Sequence, residues 1–181
     1  LQAYLRSLSV EWSPGVTATA LQFATVVTPD VSPLRREIFL ETVKAAVQQK
    51  NGNYTPGQRT MSTGAEMMFR TDRRWNLAVW ELTGPPETWN AQLQARQREQ
   101  PVFALVSGLG GGDWTPVHRF CEQQQVPCWF PSVDAPPADA ANDFFSVYFS
   151  GGVQLEAQVL ARQLVADAPA RVWQIHRGDG A

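Results

Sequence analysis

A run of glycines stands where a predicted strand is followed by a predicted helix, and its backbone could act on a ligand. The segment Ser107–Trp114 reads SGLGGGDW, with Gly110, Gly111 and Gly112 in succession. Because glycine carries no side chain, these backbone N–H groups can approach a ligand closely, and the positive end of the following helix favours an anion. The alternative is a tight turn that binds nothing.

The residues that follow the glycines exclude two familiar phosphate-binding loops. No Gly-Lys-Ser/Thr follows, and Asp113 stands where G-x-G-x-x-G would place its last glycine. We expect Asp113 to cap the helix. Trp114 could stack on a ligand, but its helical spacing with His118 favours a place in the core for both residues. Asp113 and Trp114 are kept as candidate ligand contacts.

A second polar pair follows the next predicted strand. Ser132 and Asp134, in the segment PSVD, offer a hydroxyl and a carboxylate to a polar ligand. The alternative is an ordinary turn that leads into Ala135–Pro137. No G-x-S-x-G motif surrounds Ser107, so the sequence gives little support to a nucleophilic enzyme.

The cysteines and histidines are few. A disulfide between Cys121 and Cys128 is sterically plausible and is favoured if the compartment is oxidising, whereas two buried thiols are the alternative. With His118 and His176 as the only histidines, the chain cannot form a four-ligand zinc site of the usual spacing. We therefore predict no metal site and no cofactor in this segment.

Composition limits the classes of partner. The 181 residues are 44% hydrophobic and 18% charged, with a net charge of −2, which suits one domain with a real core. No apolar run reaches the roughly 18 residues of a membrane span, so no membrane insertion is expected. The densest basic cluster, Arg70, Arg73 and Arg74, is too small to indicate a nucleic-acid partner.

Strand-like and helix-like segments alternate along the chain. The predicted strands are Thr17–Thr28, Asn76–Leu82, Pro101–Leu109, Val126–Phe130, Phe144–Phe149 and Arg171–His176. The predicted helices are Pro33–Gln49, Pro86–Gln100, Asp113–Gln125 and Val153–Leu164. This order predicts an α/β three-layer sandwich with a mostly parallel, Rossmann-like sheet, in which ligands bind at the carboxyl ends of the strands.

The segment from Pro101 to Phe149 carries a family resemblance. PVFALVSGLGGG, a helix, VPCWFPSVDAP and FFSVYFS together resemble the first lobe of type I periplasmic solute-binding proteins of the branched-chain amino acid kind. The resemblance implies ligand contacts from Gly110, Gly111, Gly112, Ser132, Val133 and Asp134. Amino-acid binders often have serine where Gly111 stands and threonine where Asp134 stands, so these departures argue against a free amino acid as the ligand.

The start of the chain carries a second, shorter resemblance. QAYLRSL is similar to the final helix of a class I cytochrome c, which predicts that residues 1–13 end a preceding helical domain and 14–20 form a linker. Residues 21–150 would be the first lobe, and 151–181 the crossover helix and first strand of a truncated second lobe. Haem c would belong to the missing upstream domain.

These resemblances imply non-catalytic binding of a small polar solute in the periplasm, for uptake by an ABC transporter or for sensing. The partners would be the solute and an ABC permease or a redox protein. One alternative is a domain with a degenerate pocket that docks a partner beside a c-type cytochrome. Another is a hydrolase that uses the SGLGGG loop as an oxyanion hole.

Overall fold

A computed structural model describes residues 13–52, 73–137 and 143–167, together with Arg171 and Trp173. The strands are β1 (Ala20–Val27), β2 (Arg74–Glu81), β3 (Ala104–Val106), β4 (Cys128–Trp129) and β5 (Ser146–Val147). The α-helices are α1 (Pro33–Gly52), α2 (Trp89–Glu99), α3 (Thr115–Gln124) and α4 (Gly152–Asp167), with a 3-10 turn at Pro86–Thr88 before α2. The alternation of strand and helix that the sequence predicts is confirmed.

All five strands are parallel and lie in the order β2-β1-β3-β4-β5. The chain therefore adds strands to one side of β1 and then to the other. The crevice between the carboxyl ends of β1 and β3, where the order reverses, is the usual ligand-binding position in such sheets. We call the side of the sheet where the strands end the carboxyl edge.

Helices cover both faces of the sheet because the strands are apolar on both sides. Successive strand residues point to opposite faces, so Val26 packs with Trp89 and Val117 of α2 and α3, whereas Val27 packs with Leu40 of α1. The predicted three layers are present. None of the helices in the described ranges combines the length and apolar character that a membrane span requires.

Three of the strands are much shorter than the sequence predicts, and two backbone angles account for two of these differences. Ser107, directly after β3, has a φ of 49°, and Phe130, directly after β4, has a φ of 54°. A residue in this left-handed region turns the chain out of an extended ladder, so the predicted spans 101–109 and 126–130 are broken there. The predicted strand 171–176 lies outside the described residues except for Arg171 and Trp173, which have no strand structure.

Cys121 in α3 and Cys128 in β4 form a disulfide, with Cα atoms 6.1 Å apart. Both residues are buried in the main core. Gln125 ends α3 in the left-handed conformation, and Val126 N–H donates to Cys121 O at 3.0 Å, so the chain turns back within a few residues. The bridge thus fixes α3 to β4 across a tight connection.

Reduction of the disulfide should lower the free energy of unfolding by about 2–3 kcal/mol, because a short closed loop no longer restricts the unfolded chain. Urea unfolding with and without dithiothreitol measures this difference. The double variant Cys121→Ala/Cys128→Ala is the control and should not respond to the reductant. Two titratable thiols in denatured, unreduced protein from an oxidising compartment would contradict the pairing.

Candidate functional site

The loops that follow β1, β3 and β4 meet at the carboxyl edge through backbone hydrogen bonds. Thr28 N–H donates to Leu109 O at 3.1 Å, and Gly110 N–H donates to Ser132 O at 3.2 Å. Ser132 N–H in turn donates to Gly108 O at 2.6 Å. The glycine loop and the PSVD segment, which the sequence selects independently, therefore lie side by side.

The indole of Trp114 explains two of the glycines in the loop. A Cβ at Gly108 would lie 2.6 Å from Trp114 Cη2, and a Cβ at Gly110 would lie 2.7 Å from Trp114 Cε3. Trp114 is only 3% exposed and belongs to the main core. Gly108 and Gly110 are thus needed for packing, and Trp114 occupies the core position that its helical spacing favours.

Asp30, which no sequence motif singles out, occupies the space next to Gly111 and Gly112. Gly111 N–H donates to Thr28 Oγ1 at 3.3 Å and to Asp30 Oδ1 at 3.4 Å, and the Thr28 hydroxyl donates to Asp30 Oδ1. A Cβ at Gly111 would lie 2.9 Å from Asp30 O, and one at Gly112 would lie 2.7 Å from Asp30 Oδ2. A carboxylate of the chain itself therefore sits where a bound anion was expected.

The close approach of Asp30 limits which side chain position 111 can carry and which ligand can bind beside it. A serine there, as amino-acid binders often have, would collide with the Asp30 backbone. A ligand carboxylate would also meet the Asp30 carboxylate, and the repulsion between like charges grows as water is excluded. The only cue in the sequence is that Asp30 lies two residues after the end of a predicted strand.

The other predicted acidic residues have partners within the chain. Asp113 Oδ1 accepts a hydrogen bond from the N–H of Thr115, the first residue of α3, at 2.9 Å. The N-cap position is occupied by Trp114 and has no side-chain hydrogen bond, so Asp113 lies one residue before the position that we expected it to take. Asp134 Oδ1 lies 3.7 Å from Arg35 Nη2 of α1, and the two side chains are 64% and 44% exposed. An ion pair in water contributes little to stability, but Arg35, which sequence reasoning missed, partly neutralises the charge of Asp134.

A cavity of about 260 Å³ opens between the ends of β4 and β5. It is lined by Phe130, Pro131, Ser132, Val133, Pro136, Tyr148, Phe149 and Ser150. The rings of Phe130 and Phe149 lie 4.7 Å apart between centroids, and Phe149 is 86% exposed. Two of the predicted contacts, Ser132 and Val133, therefore line a cavity that combines aromatic walls with hydroxyl groups.

A hydrogen-bonded network includes Tyr148, one of the residues that line this cavity. His118 is 4% exposed, and its Nδ1 lies 2.9 Å from the Tyr148 hydroxyl while its Nε2 contacts the Asp143 carboxylate. The prediction of a buried histidine with satisfied ring nitrogens is confirmed. Burial raises the pKa of the Tyr148 hydroxyl, and the Glu122 and Asp143 carboxylates raise it further, so Tyr148 stays protonated.

Glu122 belongs to the same network and holds the start of β5. Its carboxylate accepts hydrogen bonds from Phe144 N–H, Phe145 N–H and the Ser146 hydroxyl at 2.7–3.1 Å. Burial acts to raise the pKa of Glu122, but these hydrogen bonds and the nearby His118 hold it below its ordinary value. Donor atoms of His118, Glu122 and Asp143 lie within 4.8 Å of one another, so these residues could face a common metal ion.

Comparison with known proteins supports the architecture. No family model matches the sequence, and no curated protein matches it. A solved structure, that of a possible leucine/isoleucine/valine-binding protein from Rhodopirellula baltica, is similar with a TM-score of 0.51 at 15% identity. The likeness shows the fold. It covers 83% of this chain and 37% of that protein, so the chain spans well under half the length of its structural neighbour.

Substitution of Gly110 by alanine should lower the free energy of unfolding by about 1–3 kcal/mol, because the new methyl group would displace the Trp114 ring. Gly52→Ala is the matched control, since nothing lies within 4 Å of a Cβ at Gly52. Urea unfolding curves of the two variants test the difference. Equal midpoints for Gly110→Ala and the unsubstituted protein would show that the indole does not require this glycine.

Proposed function

We propose that this chain binds a small polar solute at the carboxyl edge of its sheet, without catalysis. The observation that carries the proposal is the cavity of about 260 Å³ at the ends of β4 and β5, lined in part by Ser132 and Val133. Parallel α/β sheets bind ligands at this edge, and a structural neighbour of this fold is described as a possible leucine/isoleucine/valine-binding protein.

The site would be completed by a second lobe. We propose that residues 21–150 form the first lobe and that 151–181 begin the crossover to another. The cavity is open to solvent, and burial of most of a ligand's surface needs walls on more than one side. The disulfide between Cys121 and Cys128 favours an oxidising compartment, which supports a periplasmic location and a role in ABC-type uptake or sensing.

The charges at the carboxyl edge favour a neutral or amine-bearing solute. Asp30 covers the amide of Gly111 with a carboxylate, and Asp134 adds a second carboxylate that Arg35 balances only in part. Neither residue lines the cavity itself, but a dicarboxylate or a simple amino acid that extends from it along the carboxyl edge would bring its own carboxylate toward these groups. An ammonium group would instead form a charge-assisted hydrogen bond with them.

A second candidate is a domain that docks a partner protein. The Gly111 amide of the glycine loop is already hydrogen-bonded to Thr28 and Asp30 and is not free to bind a ligand. The aromatic side chains of Phe144 and Phe149 are 85% and 86% exposed. Exposed aromatic side chains are common at protein interfaces. The hydrolase alternative loses its main support, because the Gly110 and Gly111 amides already donate within the chain.

Residues 1–181 alone should bind small solutes weakly, because one lobe supplies only part of the contact surface and no closure. Isothermal titration calorimetry against n-butylamine, leucine and succinate tests this expectation. Micromolar affinity of the 181-residue chain for any of them would contradict the two-lobe site.

In the complete protein, Asp134→Asn should weaken binding of an amine-bearing ligand by about 1–3 kcal/mol if Asp134 accepts its charge-assisted hydrogen bond. Glu99→Gln removes an equal charge at the end of α2 and should leave binding unchanged. A thermal-shift screen of both variants with the same three compounds compares them. If leucine were the best ligand and Asp134→Asn bound it as well as the unsubstituted protein does, Asp134 would have no role in ligand binding and would serve only in the turn.

A further inference from the structure

A buried histidine and two carboxylates converge beside α3, at residues the proposed solute site does not use. His118 and Glu122 are four residues apart and so lie on one face of the helix. Asp143 approaches from the segment that leads into β5 and contacts His118 Nε2. The donor atoms of all three residues lie within 4.8 Å of one another.

We propose that His118, Glu122 and Asp143 bind a divalent transition-metal ion, with Zn²⁺ as the representative ion. One imidazole nitrogen and two carboxylate oxygens are a ligand set that suits Zn²⁺ and related first-row ions, whereas Ca²⁺ and Mg²⁺ prefer oxygen ligands alone. Three protein ligands leave a fourth position for water. The site would link α3 to the start of β5.

His118 is oriented for coordination through Nε2. Its other ring nitrogen, Nδ1, lies 2.9 Å from the Tyr148 hydroxyl, and such a second contact fixes the ring of a metal-bound histidine. In the metal-free protein with a neutral ring, Nε2–H donates to Asp143, and Nδ1 accepts from the Tyr148 hydroxyl. Metal binding would place the proton on Nδ1, which then donates to the Tyr148 oxygen, and free Nε2 for the ion.

Glu122 is already held in place by hydrogen bonds. A carboxylate offers about four lone-pair sites. Three donors use them: Phe144 N–H, Phe145 N–H, which is shared between the two oxygens, and the Ser146 hydroxyl. Each oxygen therefore already accepts two hydrogen bonds. A metal ion would replace one half of the shared Phe145 bond, and the remaining bonds would keep the carboxylate ordered.

Binding of an ion requires the donor atoms to move closer together, and Asp143 is the residue whose side chain can move. Two ligands about 2.1 Å from one ion can be at most about 4.2 Å apart, so donors separated by up to 4.8 Å must close by roughly half an ångström. The Asp143 side chain is 32% exposed, compared with 4% for His118. Asp143 would have to give up its contact with His118 Nε2 when the ion binds. Its partial exposure leaves room for this rotation and for entry of the ion from solvent.

The test is calorimetric titration of EDTA-treated protein with Zn²⁺, and with Ca²⁺ as the competing class of ion. His118→Gln, Glu122→Gln and Asp143→Asn should each weaken Zn²⁺ binding at least about 10-fold, and Tyr148→Phe, which removes only the outer hydroxyl, should weaken it by about 10-fold. His176→Gln and Glu99→Gln are the matched controls and should bind Zn²⁺ like the unsubstituted protein. Zn²⁺ affinity that is unchanged in the three ligand variants, or equal affinity for Ca²⁺, would overturn the proposal.

Two measurements on the unsubstituted protein keep the test independent of how well the variants fold. Zn²⁺ should raise the thermal midpoint, since it binds only the folded chain. It should also move the His118 proton from Nε2 to Nδ1, which ¹⁵N NMR of the imidazole detects. An unchanged tautomer with saturating Zn²⁺ would show that the ion binds elsewhere. Because neither readout requires a solute, this result does not depend on whether the proposed solute site is correct.

Discussion

The carboxyl edge of the sheet depends on the burial of one indole ring. Trp114 lies beneath the loop that joins β3 to α3 and leaves no room for a side chain at Gly108 or Gly110. Its Nε1 is buried without a hydrogen-bond partner in the described part of the chain, which costs about 1–3 kcal/mol. The large apolar area of the ring offsets this cost, so packing, rather than ligand binding, determines the course of the loop.

The packed loop then explains why Asp30 can occupy the neighbouring corner. With the loop held down by the indole, the amide of Gly111 faces the end of β1, where Thr28 and Asp30 accept its hydrogen. The same glycine-rich sequence would suit a loop that binds an anion, but here the chain supplies the carboxylate itself. A glycine run is therefore ambiguous until the group above it is known.

The sequence predicts the fold class well because that prediction rests on local pattern. Apolar runs and helical periodicity place every described strand and helix near its observed position. The features it misses depend on distant segments: Asp30 meets Gly111 across 81 positions, and Arg35 meets Asp134 across almost a hundred. The left-handed angles at Ser107 and Phe130 end two strands early, and neither serine nor phenylalanine is a residue type that favours this backbone region.

Helix α3 holds the edge of the sheet that forms the cavity. β4 and β5 pair through only two residue pairs, which is too short a ladder to be stable alone. The disulfide from Cys121 fixes β4 to α3, and the Glu122 carboxylate fixes the segment that leads into β5 by accepting hydrogen bonds from the Phe144 and Phe145 amides. One helix thus determines the geometry of the cavity. An ion bound at His118 and Glu122 would stabilise that helix and, through the contact of His118 with Tyr148, the cavity wall as well.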